Sequence, residues 1–124
     1  MKYLLDTNCC VYLFTGESPV LTTRVAACAA GTLGVSAISF AEIALGSSNG
    51  RMPATEVLDA FIVEIPVLDF DQAAGRAYAR LPFKRGRFDR LIGAHALSRD
   101  LTLVTNNEQD FADIPGLKVE NWTL

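Results

Sequence analysis

The sequence has no uninterrupted apolar stretch long enough to cross a membrane. Its longest uncharged stretch runs from Val25 to Ala41 and contains Gly31, Gly34 and several Ser and Thr residues. A membrane-spanning helix needs about 20 predominantly apolar residues, so this stretch is too short and too polar. The first residues also lack the apolar region and small-residue cleavage site of a secretory signal. We therefore expect a cytoplasmic protein.

Cysteine is also scarce. Cys9, Cys10 and Cys28 form no C-x-x-C pair, and an odd number does not suit a disulfide framework. Such cysteines are typical of a reducing compartment, where they usually serve as small buried hydrophobic side chains. At 124 residues and 50% hydrophobic composition, the chain is long enough to form a core without crosslinks. We expect one domain covering residues 1–124.

Several catalytic patterns are missing as well. The glycines form neither a Walker motif nor a dinucleotide-binding fingerprint, and no Ser, His and Asp residues are arranged as a nucleophilic triad. His95 is the only histidine, and the apolar residues around it indicate a buried, hydrogen-bonded structural role. Catalysis by an activated serine or cysteine is therefore not predicted.

Positive charge is concentrated in one segment, although the net charge is −3. A net negative charge argues against non-specific nucleic-acid binding through bulk electrostatics. Six of the eleven Lys and Arg residues nevertheless lie between Arg76 and Arg90, where Asp89 is the only acid. This segment is either a solvated helix face with a soluble loop, or a surface that attracts phosphates.

Short apolar runs alternate with helical patterns along the chain. We predict strands at residues 2–5, 33–38, 101–104 and 117–120. We predict helices at residues 9–14, 20–30, 39–46, 54–64, 69–81 and 88–99, with a flexible linker at 46–50 and a basic loop at 82–87. Because parallel strands need crossover helices, this alternation predicts an α/β three-layer sandwich with a mostly parallel central sheet flanked by helices.

Three isolated acids, Asp6, Glu42 and Asp89, lie where a predicted strand ends or a predicted helix begins. Each also has a structural explanation: Asp6 is a good N-cap, Ser39 and Glu42 form a capping-box pattern, and Asp89 suits the positive end of a helix. In open parallel sheets, however, ligands bind at the carboxyl ends of the strands, where helix N-termini also point. If the acids converge there, they would bind a divalent cation, and phosphodiester hydrolysis is the expected reaction.

Four segments carry a family pattern: residues 4–8 (LLDTN), 36–43 (SAISFAEI), 88–97 (FDRLIGAHAL) and 103–107 (LVTNN), the last followed by Asp110-Phe111 and Pro115-Gly116-Leu117. In this order and spacing, the chain resembles the PIN-domain family and, within it, the VapC toxins of bacterial toxin–antitoxin pairs. The resemblance implies a PIN-like fold and an endoribonuclease dependent on Mg²⁺ or Mn²⁺. It also implies neutralisation by a VapB-type antitoxin and assembly into homodimers and toxin–antitoxin complexes.

The resemblance assigns roles to individual residues. Asp6, Glu42 and Asp89 match the family's acidic metal-binding positions. The residues that would orient these acids and their ordered waters are Thr7, Asn8, Ser39, Thr105 and Asn106.

The fourth acidic position departs from many PIN domains, because residues 105–107 read Thr-Asn-Asn. Asn107 or Asp110 would complete the metal site, which leaves open whether one ion or two are bound. The residues expected to steer RNA phosphates toward the acids are Lys84, Arg85, Arg87 and Arg90, since phosphate contacts position a substrate without reading its sequence. The RNA target is left open.

Two other functions fit parts of the pattern. An Asp at a strand end also suits a receiver-like module or an aspartyl-phosphate hydrolase, but Asn8 stands where such hydrolases carry a second Asp. The other alternative is a non-catalytic binding module or degenerate PIN domain whose acids only cap helices. Binding of Mn²⁺ would separate that alternative from the enzyme.

Overall fold

A computed structural model describes residues 1–82 and 88–124. Within these ranges the strands are β1 (Tyr3–Leu5), β2 (Leu33–Ser36), β3 (Val67–Leu68), β4 (Thr102–Val104) and β5 (Val119–Glu120). The helices are α1 (Thr7–Thr15), α2 (Pro19–Ala26), α3 (Ala37–Ser48), α4 (Thr55–Glu64), α5 (Gln72–Ala79) and α6 (Phe88–Ser98), and a 3-10 helix spans Glu108–Phe111. None of these helices is both long enough and apolar enough to cross a membrane.

The five strands form one parallel sheet in the order β3-β2-β1-β4-β5. β1 lies at its centre, where Leu5 pairs with Val35 of β2 on one side and with Val104 of β4 on the other. The chain builds outward from β1 through β2 and β3, then crosses to the opposite side for β4 and β5. The direction of building therefore changes between β1 and β4, and ligands bind at such switch points in α/β sheets.

Neighbouring residues of the central strands pack into different layers. Leu4 and Leu103 contribute to a cluster with Ile92 of α6, whereas Leu5 and Val104 contribute to a cluster on the other face. Successive side chains of a strand point to opposite faces, so two adjacent apolar residues require helices on both sides. The predicted α/β sandwich with helices flanking a parallel sheet is confirmed. The buried thiols of Cys9 and Cys10 also fill the core, as expected.

Several predicted boundaries were wrong, and local capping explains the starts of α3 and α5. α3 begins at Ala37 because the Ser36 hydroxyl accepts the Ile38 N–H at 3.1 Å, and it ends at Ser48, inside the linker predicted at residues 46–50. α5 begins only at Gln72, since Asp71 accepts the N–H of Ala74 at 3.0 Å. α2 stops at Ala26, before the predicted end at residue 30.

Candidate metal centre

Asp6 follows β1 directly and occupies the switch point of the sheet. One carboxylate oxygen accepts the Cys9 N–H at 2.9 Å, so Asp6 caps α1 as predicted. The other oxygen accepts a hydrogen bond from the hydroxyl of Thr105, which follows β4. Burial raises the pKa of Asp6, and the bonds from Thr105 and Cys9 oppose that rise. The two hydrogen bonds thus fix the position of the Asp6 carboxylate, while burial makes its ionised form less favourable.

Glu42 lies inside α3 and is held from α1. The Thr7 hydroxyl donates to Glu42 Oε1 at 2.9 Å and also shares a hydrogen bond with the buried hydroxyl of Ser39 at 3.0 Å. The capping-box interpretation of Ser39 and Glu42 was wrong, because Ser36 caps α3 and Ser39 is already helical. Glu42 therefore takes no part in capping α3, and its carboxylate is held by Thr7 of α1.

Asp89 lies in the first turn of α6, which packs against α3. Burial raises the pKa of Glu42 most, and the hydrogen bond from Thr7 lowers it; the charges of Asp89 and Asp6 then add smaller rises. Three carboxylates from three elements therefore share one electrostatic environment. A cation among them would offset their mutual repulsion.

The donor set fits a hard divalent cation. All three acids offer carboxylate oxygens, which are the ligands such cations prefer. Among the described residues, 1–82 and 88–124, no group of three or more Asp, Glu, His or Cys side chains is positioned to hold a metal ion. In proteins, Mg²⁺ is usually held by one or two carboxylates and keeps several of its waters.

The segment after β4 contributes polar groups around Asp6. The Thr105 hydroxyl, which donates to Asp6, accepts the N–H of Asn107, and the Asn107 side chain donates to Asp110. Asn107 and Asp110, the two candidates for the fourth ligand, are thus linked to each other and through Thr105 to Asp6. Asn8 is exposed just after Asp6.

Asn106 turns toward α1 and was predicted to help orient the acids. Its side-chain amide donates to the Tyr12 hydroxyl at 2.9 Å. Sequence reasoning did not predict this role for Tyr12, because nothing in the local pattern distinguishes a tyrosine that reaches the loop after β4 from one that fills the core.

The basic residues of the sequence pattern divide into two groups. Lys84, Arg85 and Arg87 lie outside the described residues. Arg90 was predicted to contact RNA, but this assignment needs correction: it is 5% exposed, and its guanidinium binds Asp113 through two hydrogen bonds of 2.8 and 3.1 Å. Its bidentate pairing with Asp113, a half-buried carboxylate, explains why this basic residue does not face the solvent.

His95 has the hydrogen-bonded structural role predicted for it. Its Nδ1 lies 2.7 Å from Ser36 Oγ, and its ring makes an edge-on contact with Phe70. Ser36 was not singled out from the sequence, although a serine directly before an apolar helical pattern is itself an N-cap signal. The pair connects α6, which carries Asp89, with the start of α3, which carries Glu42.

The PIN-domain family model matches residues 3–117. The chain therefore belongs to the PIN-domain family. Membership in this family of nucleases implies a requirement for a divalent metal, which agrees with the carboxylates at the switch point.

Within the family, the relatives are VapC ribonucleases. The tRNA(fMet)-specific endonuclease VapC of Shigella flexneri is 33% identical, with 99% of each chain covered, and its namesake from Salmonella typhimurium is 34% identical, with 98% of each covered. The solved structure of DNA-bound VapBC from Salmonella typhimurium has a TM-score of 0.84 at 32% identity, with 98% of each chain covered. VapBC2 from Rickettsia felis, bound to a promoter DNA fragment, has a TM-score of 0.83 at 30% identity, with coverage of 98% of this chain and 99% of that one.

Proposed function

We propose that this chain is a VapC-type toxin: an endoribonuclease that hydrolyses RNA phosphodiester bonds with Mg²⁺ or Mn²⁺. The observation that carries the proposal is geometric: Asp6 directly follows β1, and the next residue, Thr7, donates a hydrogen bond to Glu42 of α3 at 2.9 Å. Full-length similarity to VapC ribonucleases supports it. RNA is the substrate class and the cytoplasm the place of action.

The three acids would hold the ion, and their neighbours would hold the acids. When bound, the cation supplies Lewis-acid activation of a phosphate oxygen and of the attacking water. The Cys9 N–H and the Thr105 hydroxyl keep both oxygens of Asp6 in place, while Thr7 fixes one oxygen of Glu42. Preorganised ligands of this kind spare the site a rearrangement when substrate binds.

The fourth position is proposed to be Asn107 or Asp110. An amide oxygen from Asn107 would add a ligand without charge, whereas Asp110 would add a fourth carboxylate directly or through water. Their mutual hydrogen bond keeps both near the end of β4. We infer that one ion binds tightly and that a second binds weakly or only together with RNA.

Lys84, Arg85 and Arg87 remain the proposed RNA-steering residues. They lie between the end of α5 and Asp89 in the sequence, so phosphates attracted there would approach the acids. Neutralising them should weaken binding of all RNAs similarly and reduce its salt dependence.

The proposed partner is a VapB-type antitoxin, with a homodimer of the toxin inside the complex. Structural neighbours from Salmonella typhimurium and Rickettsia felis are VapBC complexes. A cluster of carboxylates is also a receptor for an arginine side chain, whose planar guanidinium binds carboxylates in pairs. An antitoxin segment that brings an arginine to Asp6, Glu42 and Asp89 would therefore compete with the metal.

The test combines metal binding with RNA cleavage. The Asp89→Asn protein should fold normally but lose Mg²⁺-dependent cleavage of RNA, with initiator tRNA as the first substrate because two relatives carry that specificity in their names. The matched control is Asp59→Asn, on the exposed surface of α4, which should cleave like the wild type. Full activity of Asp89→Asn with Mg²⁺ would refute the proposal.

One observation favours a second candidate, a binding module whose acids only cap helices. Asp6 does cap α1 through the Cys9 N–H. Glu42 does not cap α3, however, and this favours the enzyme. Calorimetry with Mn²⁺ decides between them: binding that is lost in Glu42→Gln supports the enzyme, and no binding by the wild type supports the module.

A further inference from the structure

Arg90 is a buried cation next to one of the three site acids. Nη1 donates to Asp113 Oδ1 at 2.8 Å, and Nη2 donates to Asp113 Oδ2 at 3.1 Å. Nη2 also donates to the carbonyl oxygen of Pro82 at 3.2 Å. One guanidinium thus connects the segment after α5, the first turn of α6 and the segment after the 3-10 helix.

A second contact holds the same face of α6 one turn later, where Gly93 packs closely against the residues after the 3-10 helix begins. A Cβ atom there would lie 2.8 Å from Ile114 Cδ1 and 3.2 Å from Phe111 Cδ1, so the helix sits directly on these side chains. Arg90 and Gly93 together hold α6 against residues 111–114. Little rotation about the helix axis is possible while both contacts remain.

Asp89 lies one residue before Arg90 and therefore about 100° around the helix from it. It is close enough to Glu42 of α3 for the two charges to interact. A rotation of α6 that separated Arg90 from Asp113 would also move Asp89 relative to Glu42.

We propose that Arg90 is a positioning residue, whose ion pair with Asp113 directs Asp89 toward Glu42 and thereby sets the affinity of the site for a divalent cation. The inference rests on the proposed function and replaces a role for Arg90 in RNA contact. Two parallel hydrogen bonds suit this role because a bidentate pair fixes orientation as well as distance.

The test measures Mn²⁺ affinity by calorimetry, well below the unfolding temperature, in Arg90→Met and Asp113→Asn. We expect both variants to bind Mn²⁺ about 10–100-fold more weakly, the usual loss when a supporting partner of a metal ligand is removed. At saturating Mn²⁺, the KM for RNA should match that of the wild type. Unchanged Mn²⁺ affinity with a raised KM would overturn the inference and restore RNA contact.

Two controls separate positioning from general effects. Lys118→Met breaks the exposed ion pair with Asp100 and should leave Mn²⁺ affinity unchanged. Leu58→Ala removes a buried side chain in the layer opposite α6, so it should lower stability without changing Mn²⁺ affinity. If Leu58→Ala weakens Mn²⁺ binding as much as Arg90→Met does, loss of stability is the cause and the inference fails.

If Arg90→Met does not fold, Arg90→Lys replaces it. Lysine keeps the charge but not the bidentate geometry, so Mn²⁺ affinity should still fall, and wild-type affinity would overturn the inference. A wild-type protein that neither binds Mn²⁺ nor cleaves RNA removes this inference together with the proposed function. A wild type that does both, with unaffected variants, removes the inference alone.

Discussion

Thr105 donates a hydrogen bond to Asp6 although 99 residues separate them in the chain. Both residues are buried, and each directly follows one of two adjacent parallel strands, β1 and β4. The strand order brings the pair together, because β4 lies beside β1 in the sheet and the two strands end at the same edge. Asp6 therefore depends on a partner that no local pattern could supply.

Removing the Thr105 hydroxyl should weaken the metal site. In Thr105→Val the shape is retained, but Asp6 loses a donor, so Mn²⁺ affinity and RNA cleavage should fall about 10–100-fold. Calorimetry and cleavage rates measure the two effects. Thr105→Ser, which keeps the hydroxyl, is the control and should stay close to the wild type. Wild-type metal affinity in the valine variant would contradict a supporting role for Thr105.

Neutralising Glu42 should stabilise the metal-free protein. Burial and the charges of Asp89 and Asp6 raise the pKa of Glu42, so its ionised form is disfavoured in the folded state at neutral pH. Because Glu42 is partly exposed, solvent screening limits this gain to about 0.3 kcal/mol, and Glu42→Gln should raise the Tm at pH 7 by about 1 °C. The gain should shrink as the pH falls through the raised pKa of Glu42, because the wild-type carboxyl then becomes neutral as well.

Thermal unfolding with and without Mn²⁺ checks this prediction. Added Mn²⁺ should raise the Tm of the wild type and have less effect on Glu42→Gln. Glu64→Gln, at the exposed end of α4, provides the matched control and should respond to Mn²⁺ like the wild type. A lower Tm for metal-free Glu42→Gln would show that the carboxylate stabilises the fold.

His95 should make stability depend on pH. Burial, and after it the charge of Arg99, lower the pKa of His95 below its ordinary value of 6.5, while Asp71 and Asp69 oppose the shift. Below about pH 6.5 the unfolded chain therefore takes up a proton that the folded protein resists, and stability falls by up to about 1.4 kcal/mol per pH unit. Above that pH the stability from this group is fully present.

Urea unfolding at pH 7.5, 6.5 and 5.5 measures this effect. The comparison is between the pH slopes of the wild type and of His95→Gln, because the site carboxylates titrate in both proteins. In His95→Gln, the free energy of unfolding should change less steeply with pH, because the contribution of His95 is absent. Equal slopes would mean that His95 is protonated alike in the folded and unfolded states.

Alanine substitutions at Gly93 and Gly75 should change the stability of the protein in opposite directions. Gly93→Ala places a methyl group 2.8 Å from Ile114 Cδ1 and should destabilise the protein by about 1–3 kcal/mol. Gly75 lies inside α5 with open space around its Cβ position, so Gly75→Ala should stabilise by about 0.5–1 kcal/mol through helix propensity. Denaturant unfolding of the two variants under one condition checks both signs.

The parts of the fold that depend on local chemistry were predictable. An apolar run ending in Asp6 predicted both the strand and the cap of α1, and the alternation of runs predicted the parallel sheet. The sequence could not predict whether Ser36 or Ser39 caps α3, because both serines precede apolar helical residues. Ser36 also binds His95, which is 59 residues away.

Arg90 illustrates the same limit. In the sequence it belongs to a basic run and resembles its neighbours, but in the structure it binds Asp113, 23 residues further along. A sequence pattern records charge and not the partner that neutralises it. The acids of the candidate site were predictable from their places at strand ends and helix starts. The family resemblance also named Thr7 and Thr105, which bind Glu42 and Asp6. The pairing of Arg90 with Asp113 was not predictable, because only the fold brings the two together.

The position of β1 at the centre of the sheet has a consequence for synthesis of the protein. Asp6 leaves the ribosome 99 residues before Thr105, its buried partner, and β1 has no neighbour on that side until β4 is synthesised. A chain that stops before β4 therefore carries all three acids without the support that holds Asp6. Nuclease activity should therefore emerge only after β4 and Thr105 have been synthesised.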